Sequence, residues 1–297
     1  MNVISKDFHI YSFASEMQPV ATVEPGSQLV FETYDCYRNQ LTHPSTHEIL
    51  RLDGANPATG PVAILGAEPG DILKVDILSI ELNDTGTMRI RPGVGVLKNC
   101  VEYPEVRKLP VSNGLVSITD DLKIPIRPMI GVIGVAPAKG SIQTLSPGDH
   151  GGNMDTKEIT TGATLYLPVF QKGALFALGD LHAAMGDGEV AICGVEIGAK
   201  VEVRVEVLKG TAISQPILEN DEYIYVISSN ESVDKASEQA TEGMFRFLKE
   251  RMTHLTDNEI VLLMGATGDV RISQLVNPLR TAKFRMPKAY ITYTVAR

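Results

Sequence analysis

Residues 147–189 read PGDHGGNMDTKEITTGATLYLPVFQKGALFALGDLHAAMGDGE, a stretch in which apolar runs alternate with glycine-rich turns. The apolar run 174–181 predicts a short buried strand. Asp180 and His182 are two positions apart, so a regular strand would project both side chains to the same face. The glycine-flanked turn at 186–188 then reverses the chain. The stretch therefore predicts β structure with acidic and imidazole groups at one end of a strand.

These side chains suit a metal ion. A carboxylate and an imidazole on one face, with Asp155 and Glu189 on flanking segments, favour a hard or borderline divalent cation. Glycines around His150 let the loop backbone approach a bound group closely. An Asp-x-His pair also occurs as a surface pair or around a satisfied core histidine, and it lacks the specificity of paired cysteines. Spacing alone leaves both interpretations open.

Composition narrows the class of protein. At 297 residues the chain is long enough for one large or two closely joined domains with a sizeable core. We expect no signal peptide and no membrane span, because no apolar run reaches the ~20 residues that a bilayer requires. Three unpaired cysteines favour a reducing cytoplasm. The net charge of −9, without a basic cluster, argues against a nucleic-acid partner.

The first two-thirds of the chain has strand composition. Val201, Val203, Val205 and Val207 alternate with charged residues, which predicts a half-buried strand over 200–208. Asn-Gly at 113–114 predicts a hairpin, and a change of apolar phase within 71–82 predicts a bulge or bend. Short strands separated by glycine, proline and asparagine turns are typical of barrel or sandwich layers.

Helices are expected only late in the chain. Residues 234–252 carry an amphipathic pattern, and Thr256-x-x-Glu259 is a capping box that opens a shorter helix through Met264. Residues 271–276 and 289–295 return to strand composition. The prediction is a mainly β protein with an α+β C-terminal portion, divided into a β-rich body over 1–209 and a C-terminal portion over 210–297.

Several segments together resemble the acetamidase/formamidase family. They are, in chain order, FETYDCY (31–37), NPATGPVAILGAEPGDILKVDI (56–77), PMIGVIGVAP (128–137), HGGNMD (150–155), PVF (168–170) and KGALFALGDLHAAMGDGE (172–189). The resemblance covers most of residues 28–207 and implies hydrolysis of a small amide to a carboxylate and ammonia. Many members of the family are longer, so the resemblance implies the fold and the site more firmly than the identity of the substrate.

Amide hydrolysis needs an activated nucleophile, a stabilised oxyanion and a proton for the departing amine. A metal scheme assigns Asp155, Asp180 and His182 as ligands and Glu189 as the general base and acid. His150 is either a further ligand or substrate-contacting group, or a packing residue of its loop. Asn153 binds the amide oxygen, anchors the loop or caps a turn. A covalent scheme would need a nucleophile such as a buried cysteine, and no G-x-S-x-G elbow or Ser-Ser-Lys signature supports it.

Asp35 ends a strand in the segment 31–37, and the matching segment of the family carries an acidic residue there. It completes the metal shell, belongs to the acid/base apparatus, or only terminates the strand in a turn. The overall expectation is a cytoplasmic, metal-dependent amidase for a short amide, assembled as a homodimer. Zinc is the expected ion, with calcium, magnesium and manganese as alternatives. The rivals are a β-rich metal- or small-molecule-binding protein without turnover, and a hydrolase of cyclic amides, ureas or N-formyl compounds.

Overall fold

The computed structural model describes residues 2–46, 54–210 and 212–291. These ranges contain two α-helices, α1 (Val233–Arg251) and α2 (Asp257–Thr267), and a short 3-10 turn at Lys288–Tyr290. The strands follow one another as β1 Asn2–Ile4, β2 His9–Ile10, β3 Ser12–Ala14, β4 Ala21–Val23, β5 Gln28–Glu32, β6 Ser45–Thr46, β7 Ala58–Ile64, β8 Ile72–Leu82, β9 Thr85–Ile90, β10 Glu105–Ser112, β11 Leu115–Ser117, β12 Lys123–Pro125, β13 Met129–Gly134, β14 Ser141–Gln143, β15 Pro147–Gly148, β16 Gly151–Asn153, β17 Thr164–Pro168, β18 Phe176–His182, β19 Glu196–Ile197, β20 Ala199–Leu208, β21 Ile217–Glu219, β22 Tyr223–Asn230, β23 Asp269–Gln274 and β24 Arg280–Pro287.

Most strands belong to two large sheets. The first has the order β1-β5-β20-β8-β17-β21-β22-β24-β23. The second has the order β12-β11-β10-β9-β19-β18-β13-β16-β15, and β7 pairs with β18 and carries β2 and β4. Over the described ranges neither sheet closes into a barrel, so the expected layers are open sheets. The mainly β class with two late helices is confirmed.

The two sheets share one apolar core. On β20 the side chains of Val201, Val203 and Val205 are fully buried, whereas the charged residues between them are half-buried, as the alternation predicted. Phe31 of the first sheet meets Phe176 of the second edge to face, with ring centroids 5.6 Å apart. This packing fixes the position of β18, which carries the candidate site residues.

Local sequence signals set several turns. Asn113 and Gly114 both adopt positive φ angles of 51° and 75° and join β10 to β11, confirming the hairpin. The ladder between β8 and β20 shifts register at Leu78, which confirms the bulge expected in 71–82. These features depend on a few neighbouring residues, so they could be read directly from the chain.

The C-terminal portion places both helices beside the end of the first sheet. Ser232 caps α1, and the capping box at Thr256 opens α2, which runs three residues beyond the expected end at Met264. Because β17 pairs with β21, the C-terminal strands extend the first sheet, and the division at 209/210 stays a prediction. The expected strand over 289–295 begins instead in the 3-10 turn, and 292–295 lie outside the described residues. None of the described helices is both long and apolar enough to cross a membrane.

Candidate active site

Four carboxylates and one imidazole converge inside the protein. Ligand atoms of Asp155, His182 and Glu189 lie within 4.8 Å of one another, and Asp180 and Glu196 are likewise within 4.8 Å of each other and of the Cys36 thiol. The side chains that make up this buried acidic cluster are Asp155, Asp180, His182, Glu189 and Glu196. Each of these five residues is at most 7% exposed.

Strand pairing brings the centre of the cluster together. His182 ends β18 and lies opposite Glu196 of β19, so the two side chains are cross-strand neighbours. His182 Nε2 is 3.1 Å from Glu196 Oε2 and 3.8 Å from Asp180 Oδ1. The expected pairing of Asp180 with His182 is therefore present, and Glu196 joins it from the next strand.

The backbone that presents these carboxylates is strained. Asp155, Asp180 and Glu189 have φ angles of 43°, 57° and 46°, in the left-handed region that favours glycine, and Asn56 has 53°. Left-handed conformations at residues other than glycine cluster at functional sites, where the surrounding fold imposes them. Regular strand alternation therefore does not by itself explain how Asp180 meets His182. The chain bends locally to aim the carboxylate.

Three asparagines hold the aspartates. Asn56 Nδ2 donates to Asp180 Oδ2 at 2.7 Å, and Asn277 Nδ2 donates to Asp155 Oδ2 at 2.6 Å. Asn153 lies between both aspartates; with its amide turned to match its neighbours, its nitrogen is 3.0 Å from Asp180 Oδ2. The same nitrogen is 3.3 Å from Asp155 Oδ1, so both oxygens of Asp155 have a donor nearby. Within the described ranges Asp180 Oδ1 has no hydrogen bond.

Glycines give the cluster its space. A Cβ atom at Gly131 would lie 2.6 Å from Asp155 Oδ1 and 2.8 Å from Asp180 Oδ2. One at Gly194 would lie 2.8 Å from His182 Nδ1. The carboxylates and the imidazole thus pack directly against bare backbone, which no residue with a side chain would permit without displacement.

Burial and mutual repulsion raise the pKa values of three carboxyl groups in the cluster. Burial, with the charge of Asp180, raises the pKa of Asp155 to about 6, and burial raises the pKa of Glu196 to about 7 against the opposing effect of His182. Burial and the nearby Asp155 raise the pKa of Glu189 well above its usual range. Burial alone would lower the pKa of His182, but Glu196 and Asp180 raise it well above its usual value. Four acids facing one imidazole form a centre that attracts either protons or a cation.

Several buried atoms of the cluster lack hydrogen bonds, and a metal ion could satisfy them. Within the described part of the chain, five buried cluster atoms have no well-aligned hydrogen bond, namely Asp180 Oδ1, His182 Nδ1 and Nε2, Glu189 Oε2 and Glu196 Oε2. Buried polar atoms are costly unless they are paired or coordinate a metal. A set of carboxylate oxygens and imidazole nitrogen suits zinc, manganese or another borderline to hard divalent cation. The residues present therefore fit such an ion.

Asp35 occupies a turn beside the cluster. Its Oδ1 accepts the backbone N–H groups of Tyr37 at 3.1 Å and Asn39 at 2.6 Å, and burial raises the pKa of its carboxyl group. The next residue, Cys36, places its thiol near Asp180 and Glu196. These contacts describe a turn that presents Cys36, and a catalytic role for Asp35 stays a prediction.

His150 is buried in a different environment. Its ring stands edge-on to Phe13, with ring centroids 5.2 Å apart, and packs against the backbone of Gly148 and Gly152. Neither ring nitrogen has a hydrogen-bond partner within the described ranges, and burial lowers the pKa of the imidazole to about 4. Its contact with substrate stays a prediction, whereas Asn153, three residues later, does reach the two aspartates.

Sequence reasoning missed Glu196, Cys36, Asn56 and Asn277. Glu196 carried a signal, because it is the one charged residue in the apolar run that follows Glu189. That run forms a strand only at Glu196–Ile197. Asn277 comes from the C-terminal portion, and nothing in its local sequence marks it.

A chamber of about 480 Å³ opens beside the cluster, and Glu189 forms part of its wall. Most of its lining is apolar, contributed by residues 88, 118, 124, 125, 184–186, 190, 191 and 193–195, and its charged members are Arg127, Asp187 and Glu189. Gly194, which touches the ring of His182, also lies in this wall. The chamber thus adjoins the cluster at Glu189 and has the size of a small-molecule site.

Comparison with known proteins identifies close relatives of this architecture. The crystal structure of an acetamidase from Bacillus halodurans superimposes with a TM-score of 0.94 at 42% identity, covering 97% of this chain and 98% of that one. A predicted acetamidase/formamidase from Thermoanaerobacter tengcongensis gives a TM-score of 0.93 at 44% identity, covering 97% and 96%.

More distant relatives are longer. The acetamidase of Mycolicibacterium smegmatis is 27% identical over 66% of this chain, and the match spans 64% of that protein, less than two-thirds of its length. The model of the acetamidase/formamidase family matches residues 7–142 and 138–278, which include every residue of the cluster and all three asparagines. The chain belongs to the acetamidase/formamidase family.

Proposed function

We propose that this protein hydrolyses small primary amides to a carboxylate and ammonia, with a divalent metal ion held by Asp155, Asp180 and His182. The observation that carries the proposal is the buried acidic cluster beside the chamber, in which several buried oxygens and nitrogens have no well-aligned hydrogen bond within the described ranges. Relatives named acetamidase and formamidase support the same chemistry. Zinc is the ion we favour, and the carboxylate-rich donor set also suits manganese, magnesium or calcium.

The reaction adds water across the amide bond. The water oxygen bonds to the carbonyl carbon, the carbon–nitrogen bond breaks, and the nitrogen leaves as ammonia after gaining a proton. When bound, a divalent cation would acidify water and polarise the carbonyl. Glu189 supplies the proton transfers: its raised pKa suits a carboxyl group that takes a proton from water, holds it and returns it to the leaving nitrogen.

The remaining polar groups orient reactants and ligands. Glu196, 3.1 Å from His182 Nε2, holds the imidazole and compensates its charge. Asn56 and Asn277 fix the rotamers of Asp180 and Asp155. Asn153, between the two aspartates, is placed to donate to an amide oxygen if substrate displaces its present contacts. A nucleophilic thiol is disfavoured, because burial raises the pKa of Cys36 well above its usual range and that of Cys193 to about 12.

The direct test is ammonia release from acetamide and formamide by purified protein, before and after chelation. We expect activity to disappear when metal is removed and to return with one divalent ion added back. Activity that survives complete metal removal would refute the metal scheme and leave amide hydrolysis standing. Stoichiometric metal without turnover of any amide, urea or N-formyl compound would instead favour a binding protein with a structural ion.

We propose further that the protein works in the cytoplasm as a homodimer. The three cysteines are free, which suits a reducing compartment. Val261 and Leu262 on α2 are 57% and 71% exposed, an apolar surface that a second copy could cover. A sedimentation mass equal to one 32.2 kDa chain at micromolar concentration would refute the dimer.

A further inference from the structure

The chamber beside the cluster is much larger than acetamide. Its volume is about 480 Å³. Acetamide has four non-hydrogen atoms and occupies roughly 100 Å³ if each atom takes somewhat less space than a water molecule. A substrate of that size, held with its carbonyl at Glu189, would leave most of the chamber to solvent.

The chamber wall indicates what fills the remainder. Its charged members are Arg127, Asp187 and Glu189, and its other large side chains are aliphatic or methionine: Met88, Ile118, Ile124, Met185 and Val190. Met88, Ile118 and Ile124 are half-buried, so part of their apolar surface faces the chamber instead of the core. Flexible methionine side chains adapt to apolar ligands of varied shape. When an apolar group of a ligand displaces water from these apolar walls, the free energy of the complex falls.

The chamber adjoins the cluster at Glu189. Glu189 and Gly194 both belong to its wall, and Gly194 packs against the ring of His182. An amide whose carbonyl approaches Glu189 from the chamber therefore keeps its acyl group among the apolar side chains.

We propose that the preferred substrates are primary amides whose acyl group is an aliphatic chain of about four to six carbons. This inference rests on the proposed amidase function and specifies the substrate class of the same site. Acetamide is cleaved by the same chemistry but uses little of the chamber. Each added methylene that leaves water for an apolar wall strengthens binding of the transition state.

The first test uses the unmodified, metal-loaded protein. kcat/KM for ammonia release is measured with acetamide, butyramide and hexanamide. Full burial of a methylene is worth about fourfold, and a half-open chamber about twofold, so hexanamide should exceed acetamide by about 15-fold. Equal or falling values along the series, with acetamide cleaved, would overturn the chamber inference and leave the amidase standing. No cleavage of any of the three would overturn the proposed function itself.

The second test narrows the chamber. Ile124→Trp places a larger ring in the wall, whereas Leu122→Trp adds the same ring two residues away at a site that is 53% exposed and outside the lining. We expect Ile124→Trp to lower the hexanamide-to-acetamide ratio of kcat/KM by about tenfold and Leu122→Trp to leave that ratio unchanged. Thermal melts confirm that both variants fold. A ratio that falls equally in both, or in neither, would refute the assignment of the chamber to the acyl group.

Discussion

Lys283 tests whether the C-terminal strands position the catalytic groups. Its side chain is fully buried on β24, and its ammonium lies 2.5 Å from Glu158 Oε2 and 3.3 Å from Asp187 Oδ1. Glu158 follows Asp155 by three residues, and Asp187 precedes Glu189 by two. One ammonium thus joins the two segments that carry cluster acids. Lys157 also links them, since its ammonium lies 2.8 Å from Asp187 Oδ2. Lys283→Met removes the buried link while keeping an unbranched side chain.

The solvent exposure of Glu158 and Asp187 limits how much stability Lys283→Met should lose. Removing one partner of a fully buried ion pair costs about 3–5 kcal/mol. The carboxylates of Glu158 and Asp187 are 19% and 28% exposed, so water can hydrate them once the ammonium is gone. We therefore expect Lys283→Met to lower the free energy of unfolding by about 2 kcal/mol. Urea denaturation measures this value through the transition midpoint.

The activity should fall for a separate reason. A displacement of about 1 Å in a catalytic group can cost about 10²-fold in rate. Loss of the Lys283 ion pairs should loosen the segments that carry Asp155 and Glu189. We expect this to lower kcat for acetamide by about 10- to 100-fold. KM should change far less, because Lys283 lies outside the lining of the chamber.

Lys200→Met is the matched control. Its ammonium lies 3.4 Å from Glu32 Oε1, and the two side chains are 61% and 32% exposed. Such a surface pair contributes at most about 1 kcal/mol, so stability and kcat should both stay close to those of the unmodified protein. A Lys283→Met protein that loses stability but keeps its full kcat would refute the positioning role and leave a purely structural ion pair.

Four further outcomes are expected. Glu189→Gln should keep the fold and the metal but lower kcat by about 10²–10⁴-fold, and an unchanged kcat with raised KM would assign Glu189 to substrate binding. His182→Ala should lose metal as well as activity, so full metal content by elemental analysis would remove His182 from the ligand set. Asp35→Asn should lower kcat far more than the melting temperature if Asp35 serves catalysis, whereas its turn role alone would spare kcat. Because burial lowers the pKa of His150 from 6.5 to about 4, the unfolded chain takes up this proton first as the pH falls. His150 should then contribute a decline of about 3 kcal/mol to the free energy of unfolding between these two pH values. His150→Gln should remove this contribution, and an unchanged pH profile in the variant would disprove it.

Sequence predicted those features that a few neighbouring residues determine. The alternating valines of β20 bury one face because strand side chains repeat every two residues. The capping box at Thr256 supplies hydrogen bonds to the first turn of α2. The Asn-Gly pair at 113–114 adopts the positive φ angles that reverse the chain. In each case the chemistry and the structure lie within the same short segment.

The completed cluster could not be predicted in this way. Glu196 reaches His182 through strand pairing, and Asn277 reaches Asp155 across 122 residues of sequence. Cys36 also belongs to a small apolar cluster with Leu41 and Val106, which is equally typical of a packing residue. Only tertiary structure decides which of many acidic and amide side chains meet. Spacing along the chain therefore identified part of the buried acidic cluster and missed the side chains that support it.

The conformation of the cluster argues that function, and not stability, selected these residues. Left-handed backbone at Asp155, Asp180 and Glu189 costs about 1–3 kcal/mol per residue. Burying like charges side by side adds to that cost, as the raised pKa values of Asp155 and Glu189 indicate. A fold seeking stability alone would place apolar residues at these positions. A divalent cation would reduce the repulsion between the carboxylates and would coordinate atoms that lack hydrogen bonds, so its binding should stabilise the folded protein. The strained backbone would also keep the carboxylates oriented toward the ion and the substrate.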